Sequence, residues 1–279
     1  MKRVALIGSP LRRRHSEVMH NAAFEHFGVD AAYELAEIGP DELDDFFATA
    51  RGDDWLGFQV TAPYKQEAAA RCDAVEEGAL RIGAVNSVVR HPDGTLHGFN
   101  TDAPGFNRSV TEDLGVEPLG LVVTVAGAGG AARAVVHALL DAGAARVVVG
   151  NRTPGAARRL ADDLSDSRLE PVGLDGLNDA LRFADLAVNA TTVGMATPDV
   201  PFDVGHLPAH ARVFDLVYVP AETPLVVAAR ERGLAAVNGA GMLVAQGAIA
   251  FERWTGIADA GPVMRNALEP LWEDHAGEA

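Results

Sequence analysis

Two rhythms of apolar and polar positions take turns along this chain. The apolar run Val4-Ala5-Leu6-Ile7 closes on a Gly8-Ser9-Pro10 turn and predicts a strand, and the spacing after it predicts a helix over roughly 17–27. Strands are predicted over 33–38 and 56–60, with a helix over 41–49 that turns Leu43, Phe46, Phe47 and Ala50 to one face. The runs 85–90 and 95–99 flank His91-Pro92-Asp93-Gly94, which is hairpin turn chemistry. A helix over 103–114 leads to a joint at 115–120, after which the pattern restarts. Residues 121–126 are nearly all apolar, as a strand buried on both faces should be. Residues 127–130 then turn into a helix that ends near residue 141. Later strands are predicted over 146–149, 186–189, 213–216 and 236–238, and terminal helices over 242–255 and 263–272. Strand–helix alternation of this kind means an α/β protein with a mainly parallel sheet.

Composition narrows the partners rather than the fold. With 39 acidic and 23 basic residues among 279, the formal net charge is −16. That argues against nucleic acid or an anionic membrane surface, both of which need concentrated positive charge. Cys72 is the single cysteine, so neither an internal disulfide nor a cysteine-based metal site is expected. The apolar run before Gly8 is too short for a signal-peptide core, and 119–132, with four glycines, is too short to span a bilayer. The expectation is a cytoplasmic protein with a small-molecule partner and no metal.

The sharpest local motif is Gly127-Ala128-Gly129-Gly130-Ala131-Ala132, a G-x-G-x-x-A run after a buried strand and at the start of a helix. Such glycines permit a tight turn and the close approach of a pyrophosphate, while the helix N-terminus offers unbonded N–H groups; the competing reading is a tight turn without a ligand. The next strand ends in Gly150-Asn151-Arg152-Thr153. An NAD site wants a carboxylate there; Arg152, flanked by neutral Asn151 and Thr153, suits the 2′-phosphate of NADP unless it is merely a solvated arginine. Polar residues also gather at element ends in Thr61-Ala62-Pro63-Tyr64-Lys65, Asn86-Ser87 and Asn100-Thr101-Asp102. A lysine and an aspartate brought together could move and hold a proton, although spacing alone leaves each as readily an ordinary surface charge.

Taken in order, these segments resemble the shikimate dehydrogenase family over nearly the whole chain. The resemblance rests on Gly8-Ser9-Pro10, His15-Ser16, His20, Val60-Thr61-x-Pro63-x-Lys65, Ala84-Val85-Asn86-Ser87 and Asn100-Thr101-Asp102. It continues through the glycine loop, Asn151-Arg152-Thr153, Asn189-Ala190-Thr191 and Gly239-x-Gly241-Met242-Leu243-Val244-x-Gln246. It implies a substrate domain at 1–102, a Rossmann-type NADP-binding domain at 103–240, and C-terminal helices at 241–279 that return to the substrate domain. The implied enzyme interconverts 3-dehydroshikimate and shikimate with NADP, as a monomer or homodimer.

By the same resemblance Lys65 and Asp102 are the catalytic pair, with Lys65 moving the alcohol proton. Asn86, Thr61 and Gln246 bind ring hydroxyls, Ser16 and the residue at position 14 bind the carboxylate, and Tyr218 closes the pocket. Gly127, Ala128, Gly129, Gly130, Ala131, Asn151, Arg152, Thr153, Leu216 and Gly239 line the cofactor. Three departures bear on specificity. The family's Ser-x-Ser-Pro clamp is Arg14-His15-Ser16-Glu17, its asparagine before Val-Thr-x-Pro is Gln59, and a second basic residue of the phosphate site is Ala156, with Arg158 and Arg159 close by. Arg14 is a solvent-facing arginine, a bidentate fork for a carboxylate, or the mark of a pocket reshaped for quinate, an amino-substituted shikimate or another ring alcohol. A non-catalytic ligand-binding homologue would need neither Lys65 nor Asp102, and a methyl-donor site would want an acid where Arg152 stands.

Overall fold

The computed structural model describes residues 1–11 and 13–273. Arg12 and the end of the expected C-terminal segment, residues 274–279, lie outside the described residues. The chain forms two compact units, one of Met1–Gly105 with Leu243–Leu271 and the other of Phe106–Met242 with Trp272.

The first unit begins β1 (Lys2–Gly8), α1 (His15–His26), β2 (Ala31–Glu37), α2 (Leu43–Thr49) and β3 (Trp55–Val60). It continues with α3 (Lys65–Ala69), β4 (Ala74–Val75), α4 (Glu77–Ile82), β5 (Ser87–Arg90) and β6 (Leu96–Phe99), and helix α5 (Asp102–Leu114) starts in it. The sheet order is β2-β1-β3-β5-β6-β4. Its first half is parallel, and the β5–β6 hairpin joins β3 antiparallel. Ala5, Ile7, Phe58, Val60, Val88 and Leu96 bury one face of this sheet against Leu43 and Phe47 of α2. Each large apolar side chain withdrawn in this way contributes about 1.5–3 kcal/mol.

The second unit holds β7 (Val122–Ala126), α6 (Gly130–Asp141), β8 (Arg146–Gly150), α7 (Pro154–Leu164), β9 (Leu169–Val172) and α8 (Leu174–Leu181). After these come β10 (Leu186–Asn189), β11 (Arg212–Asp215), α9 (Pro224–Glu231) and β12 (Ala235–Val237). Every strand pair is parallel, in the order β12-β11-β10-β7-β8-β9. Counted from β7, that is the doubly wound order of Rossmann domains, with its switch point between β7 and β10. The sequence pattern misses β9, because Glu170 and Pro171 break its apolar run; as the edge strand it tolerates a proline.

Two helices end the described chain, α10 (Ala240–Thr255) and α11 (Gly261–Glu273). From Leu243 onward α10 belongs to the first unit. Its Trp254 donates an indole N–H to the carbonyl of Val88 at 2.9 Å. Gly57 makes room, since a Cβ there would stand 2.5 Å from Trp254 Nε1. The indole thus anchors α10 on the β3–β5 seam, two turns beyond Gln246.

His20 of α1 is fully buried, stacked on Tyr33 at 4.6 Å and flanked by Phe251 and Trp254. Burial drives its pKa down to about 3. An unfolded histidine takes up a proton below about pH 6.5, whereas this one stays neutral, so the unfolded state binds more protons and stability falls as the pH drops from 6.5 toward 3. The slope from this group is up to about 1.4 kcal/mol per pH unit. Denaturant unfolding at stepped pH should show it, and His20→Phe, which keeps a stacked ring, should flatten it; an equal slope in both proteins would refute the assignment.

Candidate active site

The strand ends of the first unit gather the polar residues that the sequence singles out. Lys65 opens α3 and Asp102 opens α5. Their side chains meet, Lys65 Nζ donating to Asp102 Oδ2 at 2.6 Å, with 17% and 11% of each exposed. A charge-assisted bond of that length, sheltered but still reachable, holds an ammonium in one place. Asn100 Oδ1 accepts from the amides of Asp102 and Ala103 at 3.0 and 3.2 Å, which fixes the start of α5 beneath the carboxylate. A helix N-terminus also favours the negative charge. The amide of Val85 bonds Lys65 O at 2.8 Å and so ties α3 to the segment that carries Asn86 into β5.

Beside the pair runs a chain of buried amides. Asn86 Oδ1 accepts from the Thr101 amide at 2.8 Å, and Asn86 Nδ2 donates to Thr101 Oγ1 at 3.0 Å. Thr101 Oγ1 reaches Gln246 Oε1 at 3.2 Å, and Gln246 Nε2 donates to Leu243 O at 2.8 Å. Gln59 Nε2 donates to the same Gln246 Oε1 at 2.8 Å, while Gln59 Oε1 accepts from Tyr33 at 2.7 Å. Gly105 permits the close passage of α10, since a Cβ there would stand 2.8 Å from Gln246 Cβ. Thr61 is half-buried, and Gly8 lets it come in: a Cβ at Gly8 would meet Thr61 Cγ2 at 2.4 Å.

Tyr33 is the member of this group that sequence reasoning misses. It is 2% exposed, and Asn21 bonds its amide and its carbonyl at 2.8 and 2.9 Å. Burial raises the pKa of its hydroxyl far above the usual value, with Ser16 bonding that hydroxyl in opposition. Half-buried Ser16 therefore stands with Tyr33. Arg14 does not join them. Its guanidinium pairs with Glu17 at 2.6 Å and its side chain is 75% exposed.

The second unit carries the other motifs at the carboxyl ends of its strands. Gly127 follows β7 at φ +113°, a conformation suited to glycine, and a Cβ there would stand 2.7 Å from Ala190 O. Ala128 is half-buried, and around exposed Gly129 a Cβ would meet nothing within 4 Å. Gly129 is the N-cap of α6 and brings no side chain to it, so the first N–H groups at Gly130, Ala131 and Ala132 have no intrahelical acceptor. An open cradle of backbone donors at a helix N-terminus fits a pyrophosphate. After β8, Asn151 Nδ2 bonds Thr153 O at 3.1 Å while Arg152 and Thr153 are exposed. Arg159 turns back toward the start of α7, its Nη1 being 3.5 Å from where a Gly155 Cβ would lie.

At the end of β11, buried Asp215 accepts from Asn189 Nδ2, the Val217 amide and Thr223 Oγ1 at 2.8, 3.0 and 2.7 Å. Burial raises its pKa. This hub sets the loop that carries Leu216 and Tyr218. Gly239 lies against that loop, for a Cβ there would stand 2.2 Å from Leu216 O. Tyr218 packs edge-on against Trp272 at 6.0 Å. Among the described residues no three His, Cys, Asp or Glu side chains come together as a metal site would need, and no helix is long and apolar enough to cross a membrane.

Three family models match the chain: a shikimate dehydrogenase substrate binding domain over residues 6–88, a shikimate/quinate 5-dehydrogenase over 117–197, and a shikimate 5′-dehydrogenase C-terminal domain over 239–269. The shikimate dehydrogenase (NADP(+)) of Rubrobacter xylanophilus is 44% identical over 269 residues, covering 95% of this chain and 94% of that protein. The Thermus thermophilus shikimate 5-dehydrogenase, solved with NADP(H) and shikimate, is 38% identical with a TM-score of 0.87, covering 97% and 99%. The Corynebacterium glutamicum quinate dehydrogenase, solved with NAD, is 33% identical with a TM-score of 0.89, covering 96% and 98%.

Proposed function

The chain belongs to the shikimate dehydrogenase family, and from that premise we propose that it interconverts 3-dehydroshikimate and shikimate with NADP. The observation that carries the reading is the sheltered Lys65–Asp102 pair, joined at 2.6 Å beside a row of amides. A bound NADP would supply the hydride chemistry at the carbinol carbon. Lys65 Nζ gives a proton to the substrate oxygen in the reducing direction and takes it back in the oxidising one. Asp102 holds that nitrogen in place and accepts from a ring hydroxyl. Asn86, Thr61 and Gln246 bind ring hydroxyls, Ser16 bonds the carboxylate, and Tyr218 is a further substrate residue. Gly127, Ala128, Gly129, Gly130 and Ala131 cradle the pyrophosphate. Asn151, Arg152 and Thr153 take the 2′-phosphate end, and Leu216 and Gly239 line the cofactor. The reading places the protein in the cytoplasm, as a monomer or homodimer acting on a small molecule, and the formal charge of −16 disfavours a nucleic-acid partner.

We leave Arg14 out of the substrate shell, because its side chain is largely exposed and its fork is already engaged by Glu17. Arg14→Ser should therefore change kcat/KM for shikimate by less than about fivefold. Steady-state rates on shikimate and quinate for both proteins test this. A large loss on Arg14→Ser would return Arg14 to the carboxylate, and quinate turned over faster than shikimate would overturn the assigned substrate.

A further inference from the structure

Resting on that reading, we propose that Tyr33, Gln59 and Thr101 determine specificity by making the amides of the substrate wall donors only, so that it takes ring substituents able to accept a hydrogen bond and rejects those that carry an ammonium. The amide orientations are forced from both ends. The Thr101 backbone N–H can only donate, so the atom of Asn86 that it meets at 2.8 Å is the carbonyl oxygen. The Leu243 carbonyl can only accept, so the atom of Gln246 at 2.8 Å from it is the nitrogen.

Gln246 Oε1 then faces Gln59, which must answer with its own nitrogen at 2.8 Å and turn its oxygen to the Tyr33 hydroxyl at 2.7 Å. Thr101 Oγ1 approaches Gln246 Oε1 as well, at 3.2 Å. Each carbonyl oxygen of the wall is thus engaged within the protein. Asn86 and Gln246 each keep one N–H without a partner among the described residues. The Lys65 ammonium beside them is a donor too, and the Asp102 carboxylate paired with it is the acceptor of the site, so the donor-only character belongs to the amides.

A ring hydroxyl presents lone pairs to these donors, whereas an ammonium has none. Placing an ammonium there leaves buried N–H groups unanswered, which is the situation in which sites built on hydrogen bonds discriminate most strongly. Gln59 is what extends the row to Tyr33, across 26 residues of sequence. Tyr33 is held for the task by Asn21 on its backbone and by the His20 ring on its face.

The test compares kcat/KM for shikimate with that for two analogues, each bearing an amine in place of one of the two ring hydroxyls that do not react. The wild type should favour shikimate by roughly 10²-fold or more. Because the Lys65 charge opposes an ammonium and the Asp102 carboxylate attracts one, and neither variant touches that pair, the variants read the amides. Tyr33→Phe keeps the stacked ring and removes the bond that orients Gln59. Gln59→Leu removes the donor to Gln246 Oε1. In either variant the preference against the amines should shrink by about tenfold, one hydrogen bond's worth, through KM more than through kcat. Amines turned over as well as shikimate by the wild type, or a preference unchanged in both folded variants, would overturn the inference. No oxidation of shikimate at all would instead overturn the reading on which it rests.

Discussion

Replacing Lys65 with alanine lowers kcat by about 10²–10⁴-fold and moves KM for shikimate far less, as losing a proton donor that acts in the transition state requires. The ammonium is held at one point by Asp102 at 2.6 Å, and Asp102 is held in turn by the start of α5. Asp102→Asn keeps the shape but loses the charge on the acceptor, so it should be nearly as damaging as the lysine change. Steady-state and single-turnover rates separate the two parameters. Normal turnover with weakened binding in Lys65→Ala would make Lys65 a substrate anchor and remove the proton step assigned to it.

The wild type should use NADP more efficiently than NAD by roughly 10- to 150-fold, which corresponds to a charge-assisted phosphate contact of about 1.5–3 kcal/mol. Arg152→Ala should erase most of that preference. The segment Gly150-Asn151-Arg152-Thr153 carries no carboxylate to hold a ribose or to repel a phosphate. Arg159, folded back toward Gly155, brings a second guanidinium to the start of α7, where Ala156 lacks one. Arg159→Ala should therefore cost less than Arg152→Ala but in the same direction. Equal kcat/KM with both cofactors in the wild type would contradict this assignment.

The elements that carry the sites are legible in the sequence because they are local. The run 121–126 ending in Gly127 and the hairpin turn at His91–Gly94 each announce themselves within a few residues. Elements at sheet edges are not so readable. β4 is two residues long and β9 is interrupted by Pro171, and neither leaves an apolar period to detect. Within the substrate region, Lys65, Asn86 and Asp102 follow from motif resemblance, and the structure adds what joins Lys65 to Asp102.

The Tyr33–Gln59–Gln246 row is different, since its members lie 26 and 187 residues apart and belong to two strands and a distant helix. Tyr33 itself is one aromatic in a strand, indistinguishable by pattern from core. Position 14 shows the converse. The motif places a substrate-binding group there, but Glu17, three residues on, draws the guanidinium into a local pair readable from sequence spacing alone.

The assigned reaction can be followed by mixing the purified protein with shikimate and NADP and recording the absorbance of NADPH. NADPH should appear steadily, its formation should be nearly lost in Lys65→Ala, and the change should reverse when 3-dehydroshikimate and NADPH are supplied instead. A folded wild-type protein that forms no NADPH from shikimate, or a Lys65→Ala protein that forms it at the wild-type rate, would contradict the assignment.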